Sequence, residues 1–192
     1  MTGERQASRA NSGRPRRVPK PLDAARLDEL ALTYVARFAT SAAKLERYLK
    51  RKLRERGWEG EREPDLAKLV GRYVELGYVD DAAYARARSG SLLRRGYGAR
   101  RVDQALGQAG IAENLRAEVA PGQVAAREAA ATYARRRRLG PYGNADPAVR
   151  EKQLAAMVRA GHGFDAARAL VDAASVAEVE QWIEEAREQK ED

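Results

Sequence analysis

From Asp23 onward the apolar positions recur every three to four residues, and no stretch alternates as a half-buried strand does. Leu27, Leu30, Ala31, Tyr34, Val35 and Phe38 form the first stripe and predict a helix starting after Asp23. Thr40 or Ser41 caps a second, with Leu45, Tyr48, Leu49 and Leu53 facing inward until Gly57 ends it. Leu66, Leu69, Val70, Tyr73 and Val74 mark a third, closed by Gly77. Asp80 or Asp81 caps a fourth that runs through Tyr84 to about Leu93. A fifth covers about Ala99 to Gln108 and a short sixth about Ala112 to Val119. Pro121-Gly122 breaks the chain, and a seventh helix reaches Leu139. Asp146-Pro147 is a start signal for an eighth, and Phe164 opens a ninth that ends near Ala173. Ser175-Val176-Ala177-Glu178 reads as the capping box of a last, acidic helix.

The helices fall into triplets whose middle members end alike: Arg56-Gly57-Trp58, Ala109-Gly110-Ile111 and Ala160-Gly161-His162. Leu53, Leu106 and Met157 each lie four residues before the glycine. Eight before it lie Leu49 and Val102, with Leu154 taking over from Gln153 in the third copy. This register predicts an internal repeat. The expected fold is all-α, an elongated tandem array of three-helix units over residues 22–77, 78–120 and 121–174. An acidic C-terminal helix over 175–192 follows the array. Residues 1–21, rich in arginine and proline, read as a disordered basic tail. A mitochondrial transit peptide is the rival reading, disfavoured because the prolines interrupt an amphipathic helix.

Charge adds direction to this picture. The 192 residues carry a net charge of +8, unevenly spread. Residues 41–57 hold seven basic and two acidic side chains, and residues 86–101 hold six basic and none acidic. Residues 178–192 hold seven acidic against Arg187 and Lys190, and this helix is positioned to fold back on the basic units and compete with their ligand. On the second helix Lys44, Arg47, Arg51 and Arg54 fall within an arc of about 80°, opposite the apolar stripe. Lys52 lies on the apolar side and has to snorkel. The fifth helix repeats the design with Arg100, Arg101 and Gln104 opposite Val102 and Leu106. Ahead of it, Arg94-Arg95-Gly96-Tyr97-Gly98 is a basic loop with an aromatic. Stacked units would merge these stripes into one surface able to track an anionic groove. Arg135 to Arg138 has a structural reason of its own at the negative end of the seventh helix.

Enzyme chemistry is largely excluded. The chain has no Cys and one His, so thiolate zinc sites and multi-histidine metal sites are impossible. There is no phosphate-cradling GxxxxGK[ST], and Gly96-Tyr97-Gly98 lacks the third glycine of a dinucleotide loop. Asp80-Asp81 reads as a helix start rather than a metal pair, and His162 as a helix-end residue. Tyr34, Tyr73, Tyr84 and Tyr133 read as core. Trp58, Tyr97 and Tyr142, among glycines, are candidate contacts, and Trp182 anchors the acidic helix. No apolar run approaches the roughly 20 residues that span a bilayer. The expectation is a cytoplasmic, monomeric protein without catalytic residues, cofactor or metal.

The runs Leu76-Gly77-Tyr78-Val79-Asp80-Asp81-Ala82-Ala83-Tyr84-Ala85 and Leu93-Arg94-Arg95-Gly96-Tyr97-Gly98-Ala99-Arg100-Arg101-Val102 resemble the signature of the RecX family of bacterial recombinase regulators. Leu45 to Leu49 with Arg56-Gly57-Trp58, and Ala155 to Gly161 with Phe164, resemble its first and last repeats, so the similarity covers about residues 27–174. The resemblance implies tandem three-helix units, no enzymatic activity, and binding in the groove of the RecA–single-stranded-DNA filament. It further implies inhibition of strand exchange, ATP hydrolysis and coprotease function, and so a place in homologous recombination, DNA repair and the SOS response. The residues expected to face filament and nucleic acid are Lys44, Arg47, Arg51, Arg54, Arg94, Arg95, Tyr97, Arg100 and Arg101, with bare DNA bound weakly. Ser89-Gly90-Ser91 departs from the family by placing poor helix formers inside the fourth helix. A general nucleic-acid-binding protein that needs no recombinase is the alternative reading.

Overall fold

The computed structural model describes residues 20–143 and 147–191, so the basic tail up to residue 19 lies outside the described residues. Ten α-helices occur among them. The first triplet is α1 (Ala24–Arg37), α2 (Ala42–Arg56) and α3 (Leu66–Glu75). The second is α4 (Asp81–Arg94), α5 (Ala99–Gln108) and α6 (Glu113–Glu118). The third is α7 (Gln123–Arg137), α8 (Arg150–Arg159) and α9 (Phe164–Val171), and α10 (Val176–Glu191) closes the described chain. The eighth helix starts later than Asp146-Pro147 suggested, because Pro147–Val149 forms a 3-10 turn ahead of Arg150. The seventh stops at Arg137, where Arg138 turns left-handed and Gly140–Tyr142 forms another 3-10 turn.

Local side-chain caps set the first four helix starts. Asp23, Ser41, Asp65 and Asp80 each accept a hydrogen bond from a backbone N–H three residues on. The helices then bury their stripes in three separate apolar clusters. Leu22, Leu27, Leu45, Leu49 and Val70 lie in the first. Ala85, Leu92, Val102, Leu106 and Ile111 lie in the second. Ala130, Leu154, Met157, Leu170 and Val179 lie in the third, which α10 helps to close. At about 1.5–3 kcal/mol per fully buried leucine-sized side chain, each cluster holds its own triplet. This is the pattern of an array whose units pack mainly on their neighbours.

Val74, placed on the inward stripe of α3, is exposed, because that stripe turns inward through Leu66, Val70 and Tyr73; two further places depart from the sequence reading. Phe38 is the C-cap of α1 and largely exposed rather than part of the inward stripe, since the chain has already turned extended there. Ser89-Gly90-Ser91 does not break α4. Ser89 is buried and its hydroxyl donates to the Val119 carbonyl at 3.0 Å, so a small polar residue ties α4 to the end of α6.

Candidate anion-binding interface

The three middle helices lie end to end. At the joint between the second and third units, the Gly98 and Arg100 amides at the start of α5 donate to the Ala160 and Gly161 carbonyls at the end of α8, at 3.0 and 3.1 Å. Orphan donors of one helix thereby satisfy orphan acceptors of another, and the two dipoles align head to tail. The approach requires glycine on both sides. A Cβ on Gly98 would lie 2.3 Å from the Gly161 carbonyl, and one on Gly161 would lie 2.5 Å from the Arg101 nitrogen. Gly161 also has φ +96°, where an L side chain is strained. Buried beside them, His162 Nε2 is 3.0 Å from the Gly96 carbonyl, and its ring meets Tyr133. Burial holds the His162 imidazole below its ordinary pKa, against the smaller opposing pull of that carbonyl.

The joint between the first and second units repeats the placement with different chemistry. The Ser41 hydroxyl donates to the Ala109 carbonyl at 2.6 Å, and Arg47 Nη2 donates to the Gln108 carbonyl at 2.9 Å. From the other side, Asp81 accepts the Ala42 amide at 2.8 Å. Lys44 Nζ donates to the Tyr84 hydroxyl at 3.2 Å and sits over its ring. Gly110 fits against Ala43, whose methyl carbon would be 2.3 Å from an added Cβ.

The sequence-derived candidates therefore separate. Lys44 and Arg47 serve the first joint through neutral partners. Arg51 is held by Glu55 at 3.5 Å and stacks on Tyr48, while Arg54 is exposed and, among the described residues, makes no ion pair within 4 Å. Lys52 reaches Glu55 along the Tyr48 ring, so it does snorkel. On the second unit Arg94 and Arg100 are exposed and, among the described residues, make no side-chain hydrogen bond or ion pair, and Arg101 bonds the neutral Gln104. Arg95 lies over the ring of Tyr97, which itself packs into the second cluster. Among the described residues no arginine from Arg86 to Arg101 has a carboxylate within ion-pair distance. Most other basic segments do, as in Lys50–Glu46, Arg72–Asp28 and Arg150–Asp172.

Arg136 is the residue that sequence reasoning missed. Its Nη1 donates to the Arg95 carbonyl at 3.2 Å, which brings the end of α7 onto the Arg94–Arg95 loop. One member of the arginine run attributed to the helix dipole thus reaches the second unit. No spacing signal could have found this, because the two residues are 41 positions apart. Trp58 is not free for a ligand: its indole N–H donates to the Arg62 carbonyl at 2.7 Å. Tyr142 lies under Arg135, and Trp182 anchors α10 with Arg127 over its ring. The acidic helix does not lie on the patch. It runs antiparallel to α7, with Arg187 on Glu128, and carries its glutamates toward the start of α7.

Chemically, exposed guanidinium groups held by no ion pair are suited to bidentate pairing with phosphates or carboxylates. Among the described residues no group of His, Cys, Asp or Glu could hold a metal ion. The family model described as the second three-helix domain of RecX matches residues 80–119, the unit that carries the patch. A regulatory protein RecX of Myxococcus xanthus (strain DK1622) is 33% identical over 166 residues, covering 80% of this chain and 88% of that protein. A regulatory protein RecX of Neisseria gonorrhoeae (strain NCCP11945) is 33% identical over 118 residues, covering 62% of this chain and 72% of its own. The chain belongs to the RecX family. Membership accords with the all-helical triplets, and among the described residues no helix is long and apolar enough to cross a membrane.

Proposed function

We propose that this RecX-family chain is a non-enzymatic, cytoplasmic regulator that binds the RecA–single-stranded-DNA filament as a monomer and inhibits its recombinase, ATPase and coprotease activities. The observation that carries this reading is that Arg94, Arg95, Arg100 and Arg101 make no ion pair among the described residues, with Arg136 reaching Arg95 at the second joint. Arg51 and Arg54 on α2 add a second basic element. Lys44 and Arg47 join it only by giving up neutral partners at the first joint. Each contact is weak alone, but an array that spans several filament protomers gains through effective concentration.

The test is RecA ATP hydrolysis on single-stranded DNA, titrated with the chain at physiological salt. Inhibition well below one molecule per RecA is expected. Loss of inhibition in Arg100→Glu/Arg101→Glu with unchanged helicity is expected as well, and retained inhibition would remove those arginines from the interface. If the chain binds bare single strands tightly, with a log–log salt slope near −0.7 per phosphate contacted, and leaves RecA unaffected, it acts on nucleic acid alone.

A further inference from the structure

The three units place different side chains at the end of their first helix. α1 and α4 are both 14 residues long, both start from an aspartate cap, and both end on an arginine. The residue that follows is Phe38 in the first unit and Arg95 in the second; in the third, Arg138 follows α7. Cations suit that negative helix end, and Arg95 belongs to the set proposed above to face the filament. Phe38 breaks the pattern with a large ring, 55% exposed among the described residues.

This ring is the outer end of an aromatic ladder. Phe38 meets Tyr34 at 5.3 Å between centroids, and Tyr34 stacks on Tyr48 of α2 at 4.2 Å with an interplanar angle of 17°. Tyr34 and Tyr48 are half-buried against the first apolar cluster, which fixes the base of the ladder. Cations border it. Arg51 and Lys52 lie 5.6 and 5.9 Å from the Tyr48 ring and share one carboxylate, that of Glu55, so positive charge is left over. Arg37 precedes Phe38, exposed and in no ion pair among the described residues. At about 100° per residue Tyr48 lies roughly 40° from Lys44 and 60° from Arg51, so the ladder runs beside the basic stripe of α2. An apolar peptide seated on these rings would strip water from the surplus cations without pairing them. A nucleotide meets both features: its base stacks on a ring and its phosphate takes a cation.

We propose that Phe38, standing on Tyr34 and Tyr48, stacks an unpaired base of a single strand while Arg37, Arg51 and Lys52 receive the flanking phosphates. This platform rests on the function proposed above, in which the chain meets single-stranded DNA. The probe is a labelled oligothymidylate of about 15 nucleotides, compared with an abasic strand of the same length, each titrated into the full chain at low salt by fluorescence anisotropy. The abasic strand is expected to bind about tenfold more weakly. Phe38→Leu keeps apolar bulk without the ring and is expected to close that gap at unchanged helicity, whereas Phe38→Trp keeps it open. A strand carrying 5-iododeoxyuridine is expected to photocrosslink at Phe38 or Tyr34. Equal binding of the two strands, a gap that survives Phe38→Leu, or crosslinks confined to Tyr97 and Tyr142 would each overturn the platform. Equal or absent binding with RecA ATP hydrolysis still inhibited removes the platform alone; loss of both removes the reading on which it rests.

Discussion

The two joints occupy the same place in the repeat and are built from different material. At the second joint, backbone meets backbone: two amides of α5 donate to two carbonyls at the end of α8, with glycine on each side. Helix packing of α4 on α7 and the buried His162 reinforce it. At the first joint, side chains do the joining, through Ser41, Asp81, Lys44 and Arg47. A backbone joint holds its glycines fixed but leaves the side chains of its other residues free. A side-chain joint consumes the cations it uses. That is why the arginines of the second unit remain available while Lys44 and Arg47 do not.

This contrast can be broken experimentally. Gly98→Ala sets a methyl against a carbonyl that cannot yield, and we expect a loss of about 3 kcal/mol or more. Urea unfolding followed by circular dichroism should split into two transitions as the third unit uncouples. Gly110→Ala carries a left-handed backbone cost of about 1–2 kcal/mol plus a clash with the Ala43 methyl. Because that neighbour is a side chain, adding Ala43→Gly should recover part of the loss, whereas no such partner substitution relieves Gly98→Ala.

A pH effect belongs to the second joint. The folded pKa of His162 is lowered, so below the ordinary histidine value of about 6.5 the unfolded chain takes up the proton first. Stability attributable to this residue is full above that value and falls as pH drops toward the folded pKa, by at most about 1.4 kcal/mol per pH unit. His162→Gln should flatten that part of the profile measured by urea midpoints between pH 7 and 5. Smallest of all, Arg47→Ala removes an exposed hydrogen bond at the first joint and should cost under about 1 kcal/mol in the same measurement. A loss as large as that of Gly98→Ala would mean that the two joints are not different in kind.

Periodicity and caps carried the helices because both are local. The stripes of α2 and α5 and the caps at Ser41, Asp65 and Asp80 follow from spacing within a turn or two. The repeated glycine at 57, 110 and 161 was legible as a helix end. Its second role, close approach to the preceding middle helix, appears at 110 and 161, whereas nothing among the described residues lies within 4 Å of the Cβ that Gly57 lacks. Asp81 read as a cap for its own helix, yet it accepts the first amide of α2. Basic residues at similar helical positions looked alike in sequence and proved unlike in availability.

Spacing along the chain therefore determined the ten helices, their grouping in threes and the sign of each face, since these depend on neighbours three and four residues away. Which cations stay outside ion pairs among the described residues was decided by the tertiary structure, as was the meeting of Arg136 with Arg95. Those outcomes depend on end-to-end contacts between helices tens of residues apart, and a hydrogen bond or a missing Cβ is felt only at the distance the fold creates.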